Sequence, residues 1–219
     1  MTNDRKQMSS YPSSEGRRLV LALVQVIEAN KTHLSEIDGK IGDGDHGINM
    51  AKGFALVKTK LGEREVAVSE GLGLIGQTLL TEIGGSMGPL YGTFFLQMSL
   101  RAKDKPQIDE KTFGEMLRAA RTGLEELGGA KVGDKTIMDV LVPAVVAYES
   151  AAIKGASFRD ALAQMADAAE NGKESTRDLV AKIGRASRLG DRSRGVLDAG
   201  ATSGAMILQT MATILEKAA

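Results

Sequence analysis

The chain has 219 residues, no cysteine, two histidines, and 28 basic against 28 acidic residues. Without cysteine it has no disulfide, thiolate metal site, iron–sulfur cluster or cysteine nucleophile, and two histidines cannot build a three-histidine zinc site; a metal here sits among oxygen ligands, which suits magnesium or calcium. Balanced charge argues against a nucleic-acid binder, and no stretch of about 20 apolar residues is present to cross a membrane.

Residues 1–12 read as a loose, flexible tail ending at Pro12, and 13–219 as a single domain. The start lacks an apolar run in signal-peptide position, so a cytoplasmic location is expected. Ser13 or Ser14 caps a first helix with the stripe Val20, Leu23, Val24 and Ile27. The pattern fades at Asn30, and a short turn of helix is expected over 32–37. The segment DGKIGDGDHG, 38–47, is too glycine-rich and acidic for a core element. Met50, Phe54 and Val57 mark a helix over 48–64, followed by helices over 68–83 and 89–102 with GGSMGP, 84–89, between them. Asp109 or a neighbour starts a helix to 127, striped by Phe113, Leu117, Ala120 and Leu124. After GGAKVGDK, 128–135, Thr136 caps a helix to 153, in which Pro143 is expected to make a kink or mark an early turn. Ser157 opens a long helix to 183, 184–200 is a loop rich in Gly, Arg and Asp, and a last helix covers 201–216. No period-two alternation occurs, so the prediction is an all-α domain of antiparallel neighbours, about eight helices in number.

The loops carry more information than the helices. Four are rich in glycine: 38–47, 84–92, 128–135 and 184–200. Two helices separate each from the next, so in an up-and-down array all four gather at one end. Glycine is needed where backbone approaches a ligand or takes positive φ. That convergence predicts a site at the shared end.

Asp38, Asp43 and Asp45 lie within eight positions of one another. Three close carboxylates repel one another, and a hard cation resolves the conflict. The helix that follows points free N–H groups back at the loop, which suits an anion. A cation beside a helix N-terminus fits a metal–phosphate complex, whereas a solvent-facing acidic turn is the plainer alternative. An EF-hand is excluded, because Gly47 and Phe54 stand where ligands are required. His46 has either a structural role or a phosphate-donor role. Ser86 offers a hydroxyl in a loop whose glycines serve either a phosphate or close helix packing. Met138 is either core or a contact to a flat base. Arg185, Arg188, Arg192 and Arg194 face Asp191 and Asp198 in an expected surface ion-pair network, with one Arg free to reach a phosphate. Gly42, Gly44 and Gly47, and again Gly71, Gly73 and Gly76, satisfy GxGxxG, but neither follows a strand. GGAKVGDKT has Asp134 before Lys135 and is not a Walker A loop.

Four segments in order resemble the nucleotide-binding L-type subunit of dihydroxyacetone kinase: IGDGDHGINMAKGF, GGSMGPLYGTFF, VGDKTIMDVLVPA and GRASRLGDRSRGVLDAGATSG. The resemblance spans residues 18–215. It implies an eight-helix antiparallel barrel with ADP or ATP held at one end by two magnesium ions. Asp38, Asp43 and Asp45 would then be the metal ligands. His46, Gly47, Ile48 and Asn49 would contact the phosphates, with Ser86 and Met87 in the second phosphate loop. Gly129 and Met138 would lie on the adenine side, and Arg185, Asp198, Ala199 and Gly200 would complete the nucleotide site. The γ-phosphoryl would pass to a short ketose, such as dihydroxyacetone, held on a separate K-type subunit. A phosphohistidine-bearing M-type subunit would recharge bound ADP in the phosphotransferase version. An ATP-dependent kinase of a four-carbon ketose and a non-catalytic regulatory subunit are the alternatives. The sequence departs from the family pattern at Ser86 and Met87 (Ala-Ser), Arg188 (Tyr), Asp191 (Glu) and Ala199 (Pro).

Overall fold

The computed structural model describes residues 10–217. Among them nine α-helices run α1 Gly16–Ala29, α2 Lys31–Ile41, α3 His46–Leu61, α4 Val68–Glu82, α5 Met87–Ala102, α6 Glu110–Gly128, α7 Met138–Ile153, α8 Phe158–Ser175 and α9 Ala199–Glu216. Only Asn30 separates α1 from α2, and its side-chain amide donates to the Val26 carbonyl at 2.8 Å. Taken as one bent helix, that pair makes the count eight. Apolar stripes drive the assembly: Leu19, Val20, Leu23, Val24 and Ile27 of α1 are all buried, as are Phe113, Met116, Leu117, Ala120 and Leu124 of α6. Side-chain caps fix three helix starts. Asp109 accepts from the Thr112 N–H (2.8 Å), Ser157 from Asp160 (3.1 Å) and Asp198 from Ala201 (2.7 Å).

From α3 to α9 each helix packs on the next, and α9 returns against α1, which closes the barrel. Two edge-to-face aromatic groups fill it, Phe54, Phe94 and Phe95 in one and Phe113, Tyr148 and Phe158 in the other. No helix of the described residues is long and apolar enough to cross a membrane.

Several sequence expectations need correction. Residues 1–9 of the predicted tail lie outside the described residues, but Tyr11 and Pro12 are not loose. They pair antiparallel with Ile108 and Gln107, and Tyr11 is buried with its hydroxyl donating to the Glu15 carbonyl at 2.8 Å. This two-residue strand is too short to show a period. The turn expected over 32–37 is the full helix α2, because Leu34, Ile37 and Ile41 form a buried stripe. The third helix begins two residues earlier, at His46. The helix expected to reach 183 stops at Ser175, where a 3₁₀ turn, Thr176–Asp178, takes over and the Thr176 hydroxyl donates back to the Lys173 carbonyl at 2.7 Å. α7 starts at Met138, two residues after Thr136, whose hydroxyl accepts the Met138 N–H at 3.2 Å, and the Asp139 carboxylate accepts from Gly133 (2.5 Å) and Thr136 (2.8 Å). Pro143 lies within α7, which continues through it.

Candidate functional site

The alternation of the barrel places the connections 42–45, 83–86, 129–137 and 176–198 at one end, so α3, α5, α7 and α9 all begin there. Each N-terminus carries unpaired N–H groups and a partial positive charge, and four of them surround one cavity of about 750 Å³. All four glycine loops contribute to its wall, as the sequence predicts.

The anionic side is the acid loop. Asp38 projects from α2, while Asp43 and Asp45 lie in the short link to α3. One oxygen of each carboxylate lies within 4.8 Å of the others. Arg185 reaches across from the fourth connection to pair with Asp43, and with Asp45 at 3.7 Å. The Asp38 carboxylate also accepts the His46 N–H at 3.3 Å. The donor set is all oxygen, which fits a hard cation such as magnesium rather than a soft metal.

His46 is buried, and its Nε2 lies 2.8 Å from Ser203 Oγ on α9. Tyr91 Oη lies 2.6 Å from the same oxygen and donates to the Gly200 carbonyl at 3.1 Å. Burial pushes the His46 imidazole down to about 4, against the opposing pull of Asp38, so the ring is neutral. The imidazole forms part of the cavity wall and is tied to α9 by the Ser203 contact. Burial also pushes the Asp198 carboxyl up to about 7, although the Ala201 N–H and Lys135 act to lower it.

The remaining wall is apolar, with Leu90, Leu124, Leu127, Ile137 and Met138 facing the cavity. Its breadth suits a flat ring better than a charged group. The second loop presents Ser86 and Met87, with the Gly84 and Gly85 backbone open around it and Gly85 at φ +71°.

Of the residues singled out in the sequence, Asp38, Asp43, Asp45, His46, Asn49, Ser86, Met87, Met138, Arg185, Asp198, Ala199 and Gly200 all line this cavity. Three do not. Gly47 packs on α2, where a Cβ would sit 2.0 Å from the Lys31 carbonyl oxygen. The Ile48 side chain is exposed, and Gly129 is the left-handed cap of α6 at φ +62°, while its neighbours Gly128 and Ala130 line the wall. The expected arginine–aspartate network does not form among the described residues. Arg185 pairs with the acid loop, Arg194 donates to the Asp178 carbonyl at 2.9 Å, and Asp198 turns inward as the cap of α9.

Sequence reasoning missed Tyr91, Leu124, Leu127, Lys135 and Ser203. Tyr91 and Ser203 stand inside segments already quoted, PLYG and GATSG, so a polar residue on an otherwise apolar helix face was the available signal. For Lys135 no such signal exists, because its backbone conformation and its partners are set by tertiary structure.

Fold and site define a helical barrel with a carboxylate-lined pocket among four helix N-termini at one end. A family model for the DAK2 domain matches residues 40–213, and the chain belongs to that family. It is 39% identical over 186 residues to the ADP-binding subunit DhaL of a PEP-dependent dihydroxyacetone kinase from Listeria innocua, covering 84% of this chain and 88% of that one. It is 36% identical over 191 residues to the corresponding Escherichia coli subunit, covering 85% and 90%. The fold also matches the crystal structure of the C. freundii dihydroxyacetone kinase in complex with AMP-PNP and Mg2+, with a TM-score of 0.67 and 24% identity. That match covers 97% of this chain but 36% of the larger enzyme.

Proposed function

We propose that this chain is the nucleotide-holding subunit of a dihydroxyacetone-kinase-type phosphotransferase. One observation carries the reading: a carboxylate triad and four helix N-termini share a single cavity with an apolar far wall. That arrangement suits a molecule with an anionic, metal-binding end and a flat apolar end, and ADP or ATP is such a molecule. The ADP-binding subunits to which the chain is similar support the same choice.

In this reading Asp38, Asp43 and Asp45 hold magnesium, two ions in all, which when bound neutralises charge on the phosphate oxygens. Backbone N–H groups at the starts of α3 and α5 receive the phosphates. Gly47 and Ile48 take part through their backbone, Asn49 and Ser86 through side chains, and Met87 through the turn that opens α5. Arg185 exchanges its carboxylate partners for phosphate oxygens. Met138, with Leu124 and Leu127, faces the base, and Gly129 shapes the loop beside it. The turn at Asp198, Ala199 and Gly200 closes the site. During transfer the bond between the terminal phosphorus and ADP breaks, a bond to a ketose hydroxyl oxygen forms, and the hydroxyl proton is released. The ketose is presented by a separate K-type subunit, and an M-type phosphohistidine subunit recharges the ADP in place.

The test begins with the nucleotide that accompanies the purified protein, identified by mass spectrometry and followed for exchange against labelled ATP. Retained ADP with slow exchange, and turnover of dihydroxyacetone with K-type and M-type partners, is the expected result. Rapid exchange with turnover on free ATP moves the chain to the ATP-dependent kinases, with four-carbon ketoses tested beside dihydroxyacetone. Magnesium-dependent binding without turnover on any triose or tetrose points to a regulatory subunit. No magnesium-dependent nucleotide binding overturns the reading.

A further inference from the structure

We propose that Lys135 is a positioning residue, whose ammonium holds the connection 176–198 in the shape that brings Arg185 to the pocket. Lys135 is only 2% exposed, and its backbone takes φ +63°, a conformation that a side-chain-bearing residue adopts at a cost. Its Nζ donates to four backbone carbonyls: Thr176 (2.7 Å), Leu179 (3.2 Å), Ser193 (2.7 Å) and Val196 (2.6 Å). An ammonium has three protons, so these acceptors saturate it and leave none for a phosphate. The lysine borders the cavity, yet its charge points into the loop.

The segment it holds has few apolar anchors. Between α8 and α9 only Thr176, Ala181 and Ser193 are buried, so the loop lacks a hydrophobic core of its own. Polar ties replace one. Ser193 Oγ accepts from the Ala181 N–H (2.9 Å) and donates to the Gly190 carbonyl (2.7 Å). Thr176 Oγ1 accepts the Asp198 N–H at 3.0 Å, and Gly195 donates to the Arg177 carbonyl at 2.7 Å. On the outer side Lys182 pairs with Asp134 at 3.2 Å, and its N–H donates to the Asp134 carbonyl at 3.2 Å. The four carbonyls under Lys135 come from both strands of the loop, before and after Arg185. The ammonium thus gathers carbonyls of both halves at one point, beside the single bonds Ala181–Ser193, Gly195–Arg177 and Asp198–Thr176, and charge-assisted bonds are the strong kind.

Arg185's duty toward phosphate rests on the function proposed above; the ordering of the loop does not. The test uses the full chain with Lys135→Met. Hydrogen exchange without nucleotide should accelerate at least 10-fold across 176–198 while the barrel helices keep their protection. Magnesium–ADP affinity by calorimetry should weaken about 10-fold, and this loss should vanish in an Arg185→Ala background, because an arginine that is absent cannot be misplaced. Unchanged exchange in the loop overturns the proposal. So does an affinity loss of the same factor with and without Arg185, which would mean that Lys135 acts on the ligand directly. Where Lys135→Met does not fold, Ser193→Ala loosens the same loop from a position outside the cavity and should show the same coupling in smaller measure; additivity there overturns the proposal equally. If the wild-type chain binds no magnesium–ADP, the functional reading fails, and the exchange experiment still decides the role of Lys135.

Discussion

The pocket has two unlike walls. On one, Asp38 sits on α2, His46 on α3, Tyr91 on α5 and Ser203 on α9, and each helix is fixed by a buried apolar stripe. Asp43 and Asp45 occupy a link so short that both its ends are helix. On the other, Arg185 rides on a 3₁₀ segment, Arg185–Ser193, in a long connection fastened by hydrogen bonds. Groups on the first wall are placed by the same packing that folds the barrel. Groups on the second are placed by polar contacts that can open without unfolding it. A substitution on the first wall should therefore change chemistry or global stability, and one on the second should change local order.

The largest effect is expected from Asp43→Asn. It removes an anionic oxygen ligand from the triad, and magnesium-dependent ADP affinity should fall by about 100-fold, the upper end of what loss of a supporting contact costs. The side chain is exposed, so thermal stability of the ligand-free protein should barely move. Calorimetric titration beside a melting curve checks both. Unchanged affinity removes Asp43 from the metal set.

Next comes Ser203→Ala, which tests whether the helix-borne wall is tied to the core. The change leaves His46 Nε2 without its partner in a buried site, while Tyr91 Oη keeps its bond to the Gly200 carbonyl. An orphaned buried polar atom costs about 1–3 kcal/mol, so denaturant unfolding should show a global loss of about 1–3 kcal/mol. A loss confined to local exchange would break the contrast between the walls.

Asp198 stands where the walls meet, and pH reads its condition. Its carboxyl is raised from 3.8 to about 7, so between those values the folded chain holds a proton that the unfolded chain has released. The stability this group contributes is complete below pH 3.8 and is lost as pH rises toward 7. Asp198→Asn, which keeps an N-cap acceptor, removes that dependence. Stability measured from pH 4 to 8 should fall less steeply with pH in the variant than in the wild type, by at most about 1.4 kcal/mol per pH unit. Identical slopes would mean that the carboxyl is solvated rather than desolvated at the junction.

The two walls also differ in how well the sequence foretells them. Helix periodicity and the count of helices between glycine loops are enough to bring Asp38, Asp43, Asp45, His46 and Ser86 to one end, because alternation in a closed barrel depends only on order along the chain. The DAK2 family match agrees with that topology. What the sequence hides is tertiary. The loop of arginines reads as a surface network, yet Arg185 crosses to the acid loop. The end of α8 is invisible in a stretch whose composition still suits a helix at 176–183. That the Lys31 carbonyl demands a glycine at 47 is likewise hidden, since the clash lies across the packing of α3 on α2. Lys135 resembles a misplaced phosphate-loop lysine, and its four carbonyls come from residues 41 to 61 positions away.

The smallest expected effect bears on the start of α9, where the fourth connection ends. Ala199 occupies the first helical position after the Asp198 cap. Proline suits that position, because its missing N–H would be unpaired there and its φ is already helical. Asp198 at φ −81° and ψ 132° already has the extended backbone that a following proline imposes. Ala199→Pro should therefore restrict the unfolded chain without straining the folded one, and add about 0.4–1 kcal/mol. For a chain of this size that is a rise of about 1–4 °C in Tm. It should also slow amide exchange just before α9 more than anywhere in the barrel, since the gain falls on the wall that lacks a core. A lower Tm would show that the buried Ala199 methyl leaves no room for the ring, and that this junction belongs with the packed wall rather than the hydrogen-bonded one.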